Sequence, residues 1–236
     1  MAELYLQDCY LKEFDSEVTK SENGYVLLKD SAFYPESGGQ TGDTGVLILE
    51  NGERVRVTSV KKEKGESRHY VERALPAGTR VHGVIDWEKR YAHMRMHTAQ
   101  HILSAIVLEE YGAETAGNQI HDEESRIDFR PFEWNEEKQK NIEEKFNAVI
   151  KSSAPVNFET VTREEMMQRV DEKRRRLFER LPESIKSIRL VVIEEVDVCP
   201  CAGTHVKNTS EVGCIRITGH ESKGSGTVRL RFSLEK

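Results

Sequence analysis

Asp86-Trp87-Glu88-Lys89-Arg90-Tyr91-Ala92-His93-Met94-Arg95-Met96-His97-Thr98-Ala99-Gln100-His101-Ile102-Leu103 is the stretch on which the fold turns. Before it the chain alternates in the manner of strands; from Trp87 the pattern becomes helical and holds to about Glu110. Asp86 is suited to cap that helix. Ile102, Leu103, Ala105, Ile106, Val107 and Leu108 cover much of its circumference, so its C-terminal half is expected in the interior. His97 and His101 stand four apart, which puts both imidazoles on one face, one turn apart, where a metal could bridge them. His93, a turn earlier, is expected behind the site or facing solvent, because a metal rarely spans three turns.

Upstream, residues 4–86 read as short strands separated by turn chemistry. Asn23-Gly24 leads into Tyr25-Val26-Leu27-Leu28, and Asn51-Gly52 lies between Gly45-Val46-Leu47-Ile48-Leu49 and Arg54-Val55-Arg56-Val57. Both are two-residue hairpin signals. Arg68 to Val71 and Arg80 to Ile85 add strands around Pro76-Ala77-Gly78. This spacing predicts a small barrel or sandwich. Between the hairpins, Phe33 to Gly45 holds four glycines and a proline. It does not match a phosphate-binding G-x4-G-K-S/T loop, and a tight barrel turn accounts for it.

Downstream the pattern is mixed. Asn118 to His121 and Arg126 to Phe129 read as strands, Asn135 to Lys151 as a polar helix, and Val156 to Val161 as a strand. Thr162 to Arg169 reads as a short helix with Thr162 as its cap and Glu164-Glu165 in its first turn. Ser187 to Val192, Gly213 to Thr218 and Thr227 to Leu234 complete the strands. The expected architecture is α+β: a small N-terminal β-barrel over residues 1–87, then an α+β domain over residues 88–236 with helices packed on an antiparallel sheet. Lys173-Arg174-Arg175-Arg176, with Arg169 and Arg180, is the most basic stretch, but Asp171, Glu172 and Glu179 interrupt it. A solvated helix face is the default, with an RNA contact as the alternative.

Cys201-Ala202-Gly203-Thr204-His205 repeats the four-residue gap of the histidine pair. Each pair alone also fits ordinary helix or loop residues; together they offer three nitrogens and one sulfur, a set that suits Zn2+ better than Mg2+ or Ca2+. Four protein donors would close a tetrahedron, as in structural sites, yet the short knuckles of structural zinc modules are absent and a catalytic site is favoured. Cys199 and Cys201 are too close for an easy bridge, and Cys9 and Cys214 are expected as reduced thiols. A net charge of -6 excludes nucleic-acid binding through overall charge but allows a local basic contact. No apolar run of about 18 residues is present, and the N-terminus lacks the layout of a signal peptide. The expectation is a cytoplasmic protein with no membrane contact and no obligatory protein partner.

His97-Thr98-Ala99-Gln100-His101, paired with Cys201-Ala202-Gly203-Thr204-His205-Val206, resembles the editing domain of alanyl-tRNA synthetase and, more closely, the free-standing AlaX-type alanyl-tRNA editing proteins. Phe33-Tyr34-Pro35-Glu36-Ser37-Gly38-Gly39-Gln40 is similar to that family's Gly-rich motif; Asn118-Gln119-Ile120, Arg126-Ile127-Asp128-Phe129 and the ending Gly224 to Phe232 also match. The resemblance spans nearly the whole chain. Ala202 stands where glycine is commoner. Two cysteines precede His205, but the spacing matches only from Cys201, which leaves Cys199 outside the ligand set. The resemblance implies a deacylase acting in trans on tRNA(Ala) carrying serine or, second, glycine, with one Zn2+ on His97, His101, Cys201 and His205. Thr98, Gln119 and His101 are then the candidates for catalytic work, Thr98 and Gln119 as possible readers of the serine hydroxyl. Gly38, Gly39, Gln40 and Arg229 are the candidates for holding the acceptor end, with Lys207, Lys223 and Arg231 as further options. The alternatives are a threonyl-tRNA-type editing module and a non-catalytic, zinc-stabilised RNA-binding module.

Overall fold

After a short strand β1 (Ala2–Glu3), the chain forms β2 (Glu13–Glu22) and turns back through Asn23 and Gly24 into β3 (Tyr25–Leu28) in a computed structural model that describes residues 2–175 and 185–235. Asn23 and Gly24 take φ of 42° and 81°, the left-handed pair that a two-residue hairpin requires. Strand β4 (Asp30–Ser31) pairs with β1. Then follow β5 (Gly45–Leu49), β6 (Arg54–Glu63), β7 (Glu66–Val71) and β8 (Arg80–Ile85). The β5–β6 connection is longer than its Asn-Gly signal suggests, and only Gly52 there has positive φ. Lys64-Gly65, which carries no strong turn signal, makes the tight β6–β7 hairpin instead, with φ of 51° and 78°.

Six of these strands close into a barrel in the order β2-β3-β7-β6-β5-β8, every pairing antiparallel. Alternation along each strand fills its interior with Val18, Val26, Leu47, Val55, Val57 and Val60, all fully buried, as a closed small barrel demands. The Gly-rich stretch is part of its wall. A Cβ on Gly42 would meet the Val60 carbonyl, and one on Gly45 the Val84 carbonyl, so both positions need the bare backbone. Ser37 and Gln40 are joined by reciprocal backbone hydrogen bonds of 3.2 and 2.9 Å. Gly38 and Gly39 form the exposed tip of that turn at φ of 58° and 85°. Behind the loop the Asp43 carboxylate accepts from the Tyr34 amide and from the fully buried Arg90 guanidinium.

Helix α1 (Trp87–Tyr111) stops at Gly112, whose φ of 65° ends it and whose N–H reaches the Leu108 carbonyl at 2.9 Å. Chain contacts divide into two units, Met1–His93 and Met94–Lys236, with the division inside α1. From His93 to Ser104 the helix is buried almost without break, so burial begins earlier than the apolar run from Ile102 predicts and encloses the polar His93, His97, Thr98, Gln100 and His101. The second unit continues with β9 (Glu114–Gln119), β10 (Ser125–Arg130), α2 (Glu136–Ser152), β11 (Val156–Thr162), α3 (Arg163–Arg169), α4 (Glu172–Arg175), β12 (Ser187–Ile193), β13 (Asp197–Pro200), β14 (Ile215–Gly224) and β15 (Thr227–Leu234). Among the described residues its strands make two antiparallel sheets, β14-β15-β10-β9 and β11-β12-β13.

Local chemistry explains the helix boundaries. Asn135 caps α2 by accepting from the Lys138 amide at 2.8 Å. Thr162 and Glu165 form the capping box of α3. Helix α2 buries Ile142, Phe146 and Ile150, spaced four apart on one stripe, while Met166 of α3 packs with Val161, Ile188 and Leu190 of the three-stranded sheet. Within the basic stretch, Arg176, Glu179 and Arg180 lie outside the described residues.

Candidate metal centre

The two halves of the donor set reach one place. His97 and His101 project from α1, and Cys201 and His205 from the loop after β13. Their ligating atoms all lie within 4.8 Å of one another. Cys201 Sγ is 3.6 Å from His97 Nε2 and 3.4 Å from His205 Nε2. Donors held tetrahedrally about 2.0–2.3 Å from a zinc stand about 3.3–3.6 Å apart, so these two separations fit. His97, His101 and His205 are almost wholly buried and Cys201 partly so.

Each donor has its own support. The Cys201 amide donates to the Arg189 carbonyl at 3.1 Å, prolonging the β12–β13 ladder by a residue. Arg189 in turn donates from Nη1 to the Cys201 and Gly203 carbonyls at 2.7 and 3.1 Å. Its guanidinium stands 4.2 Å over the Phe158 ring. The Gly203 amide points at Cys201 Sγ at 3.3 Å. His101 Nδ1 meets Asp197 Oδ2 at 3.0 Å, and Asp197 Oδ1 accepts from Arg174 at 2.9 Å. His205 Nδ1 meets Thr98 Oγ1 at 3.1 Å. With Nδ1 of both rings engaged as a donor, Nε2 is left as the ligating atom of each.

Electrostatics separate the two neighbouring thiols. Burial alone raises the Cys201 thiol, but His97 and His205 beside it and hydrogen bonds from His101 and His205 outweigh burial and hold it well below the usual thiol range. Cys199 is pushed up, by burial first and by Asp197 second. Burial and the nearby His97 hold His205 well below the ordinary imidazole range. For His101 burial opposes the charge, yet the hydrogen bonds to Asp197 and Cys201 prevail and push it up to about 9. A ready thiolate beside three imidazoles is a set of borderline-soft donors that zinc accepts.

Other expected site residues are placed differently. His93 is fully buried, which rules out a solvent-facing position. Thr98 is also fully buried, and its hydroxyl is used three times: it donates to the Met94 carbonyl at 2.9 Å and accepts from His205 and from the Val206 amide at 3.3 Å. That hydroxyl orients His205 and has no capacity left to read a substrate. Gln119 is exposed and accepts from Arg126 at 3.1 Å. A register shift in the β9–β10 pairing puts Asn118 opposite the buried Ile127 and Thr115 opposite the buried Phe129, on the other face from Gln119. Asn118 and Thr115 face α1. Asn118 donates to Gln100 at 3.4 Å, Gln100 to Ser104 at 2.8 Å, and Ser104 shares a 2.8 Å bond with Thr115. Strict alternation from Asn118 would have put Ala116 and Glu114 there, so the shift hid Thr115 from sequence reasoning.

Among the expected contacts for the acceptor end, Gly38 and Gly39 are exposed but Gln40 is fully buried and offers no surface. Arg229 is locked in a two-bond pair with Asp128 at 2.8 and 2.9 Å. Lys223 pairs with Glu221 at 3.1 Å and Arg231 stands 3.8 Å from Glu124, while Lys207 is exposed. Asp197, Arg174 and Arg189 were not anticipated. No local pattern marked Asp197, because the strand that places positions 197, 199 and 201 on one face is too short to show a period.

Comparison with known proteins gives the family of the chain. The profile of the family described as tRNA synthetases class II (A) matches residues 6–89. That of the threonyl and alanyl tRNA synthetase second additional domain matches residues 188–231. An alanyl-tRNA editing protein AlaX-M from Methanosarcina acetivorans is 40% identical over 240 residues, covering 98% of each chain. One from Saccharolobus solfataricus is 38% identical over 99% of this chain and 98% of its own. An alanine–tRNA ligase from Pyrococcus furiosus is 38% identical over 98% of this chain, which corresponds to 25% of the ligase.

Proposed function

This chain belongs to the family of AlaX-M alanyl-tRNA editing proteins, and from that premise we propose that it removes serine, and secondarily glycine, from mischarged tRNA(Ala) in trans with the help of one zinc. The observation that carries the reading is the convergence of His97, His101, Cys201 and His205, two motifs far apart in sequence, on one buried cluster. These four residues would hold the ion. When bound, it supplies electrophilic polarisation to an ester carbonyl or a polar anchor for a substrate hydroxyl. The reading carries a cytoplasmic location with it, since charged tRNA is used there.

The chain's own residues do the positioning. Asp197 fixes His101 and Thr98 fixes His205, so the donor rings are set before substrate arrives. An aminoacyl ester is already activated, and a placed water with a few donors suffices to hydrolyse it. Discrimination falls to polar groups beside the cluster. Serine differs from alanine by one hydroxyl, and a site that bonds that hydroxyl leaves a buried polar group without its partner when alanine enters. Thr98 has no hydrogen-bonding capacity left and Gln119 lies on the exposed face, so the α1-facing Thr115 and Asn118 take over that assignment.

Purified protein incubated with tRNA(Ala) charged with serine, glycine or alanine tests the reading directly. Serine is expected to be released while alanine stays attached. Release of serine from tRNA(Thr) but not from tRNA(Ala) would reassign the protein to threonine-type editing. Tight tRNA binding with no ester turned over would make it a binding module.

A further inference from the structure

A second group of potential donors touches the first. His101, Asp197 and Cys199 also bring their ligating atoms within 4.8 Å of one another, and all three are buried. Left to itself, such a cluster competes with the four-donor set for a cation and for His101. It is not left to itself. The Arg174 guanidinium donates to Asp197 Oδ1 at 2.9 Å, to the His101 carbonyl at 3.4 Å and to Cys199 Sγ at 3.9 Å. Its side chain is only 10% exposed. Cys199 Sγ is also 3.7 Å from the Pro200 carbonyl.

We propose that Arg174 is a positioning residue that fills this second cluster with its own charge, excluding a metal there and holding Asp197 so that His101 offers Nε2 to the four-donor site alone. This rests on the metal reading of that site. A fixed cation repels a second ion at this range in a poorly screened interior. The planar fork meets several acceptors at once, which an ammonium does less well. Carboxylates behind ligating histidines typically change metal affinity by about 10–100-fold when removed, and Arg174 acts through such a carboxylate. The basic stretch therefore turns one of its arginines inward, where RNA does not reach it.

Cobalt(II) titration of the purified full chain, followed by visible absorption, provides the test. Wild type is expected to take one equivalent with the spectrum of a four-coordinate sulfur-containing site; no uptake at all would overturn the metal reading itself. Arg174→Ala is expected to bind the first equivalent about 10–100-fold more weakly, with an altered spectrum, and to take up a second. Arg174→Lys should restore single occupancy, and Arg174→Ala combined with Cys199→Ala should lose the second equivalent. Arg174→Ala with wild-type affinity, spectrum and stoichiometry would overturn the proposal. Should that variant fail to fold by circular dichroism, Asp197→Asn decides: weaker cobalt binding with a changed spectrum upholds the chain of contacts, and unchanged binding refutes it.

Discussion

At the end of β13, two thiols on one strand face meet opposite environments. Cys199 sits between a carbonyl acceptor and the Arg174 fork, deep enough that burial keeps it protonated, while Cys201 faces imidazoles that stabilise its thiolate. Replacement of Cys201 by Ala is therefore expected to abolish stoichiometric zinc and lower deacylation by two orders of magnitude or more (about 100-fold at least, the scale of a lost ligand). Cys199→Ala should keep its zinc; metal analysis of the two purified variants distinguishes them. In the barrel, His69 is buried and neutral. Its Nδ1–H donates to the Val26 carbonyl at 3.3 Å and its Nε2 accepts from the Ser31 hydroxyl at 2.7 Å. Burial lowers it to about 4 from an ordinary value of 6.5. Between those values the unfolded chain takes a proton that the folded chain refuses, so stability falls as pH drops through this window and levels off below it. The loss amounts to roughly 3 kcal/mol. Urea midpoints of the parent and of His69→Gln should approach each other as pH falls from 6.5 to 4; a gap that stays constant would remove His69 as the cause.

Elements whose register and caps follow simple chemistry were readable in advance. The Asn23-Gly24 hairpin, the Thr162 cap of α3 and the run Thr227–Leu234 are where side-chain periodicity and turn preferences predict them. Lys64-Gly65 and Ser225-Gly226 were not, because Lys and Ser carry little left-handed preference and the tertiary pairing imposes it on them. Strand β13 was hidden too, as its four residues are too few to show a period and include a proline. Helix α2 illustrates what a stripe is worth. Phe146 is fully buried between Ile142 and Ile150, and Phe146→Ala is expected to cost about 3–5 kcal/mol in urea denaturation. The donor group in α1 is not part of that stripe, so the folded fraction of the variant should still carry its metal.

On the scale of the whole molecule, the four donors were legible as two spaced pairs, whereas the groups that aim them were not. Asp197, Arg174 and Arg189 act through contacts between segments that no local pattern connects, and their residue types are common on any surface. The same holds for charge. A chain with net charge -6 neutralises Arg229 with Asp128 and Lys223 with Glu221, so counting basic residues overstates the cations available to a phosphate.

His97 and Cys201 are separated by 104 positions. Any ion bound by both therefore ties a knot of entropy as well as a reactive centre. The ring it closes contains most of the second unit, and in a chain-entropy view a closure of about 100 residues is worth on the order of 4–5 kcal/mol when made permanent. On the proposed metal reading, loading of the ion is part of the folding equilibrium, and its loss removes molecules by unfolding as well as by lost chemistry.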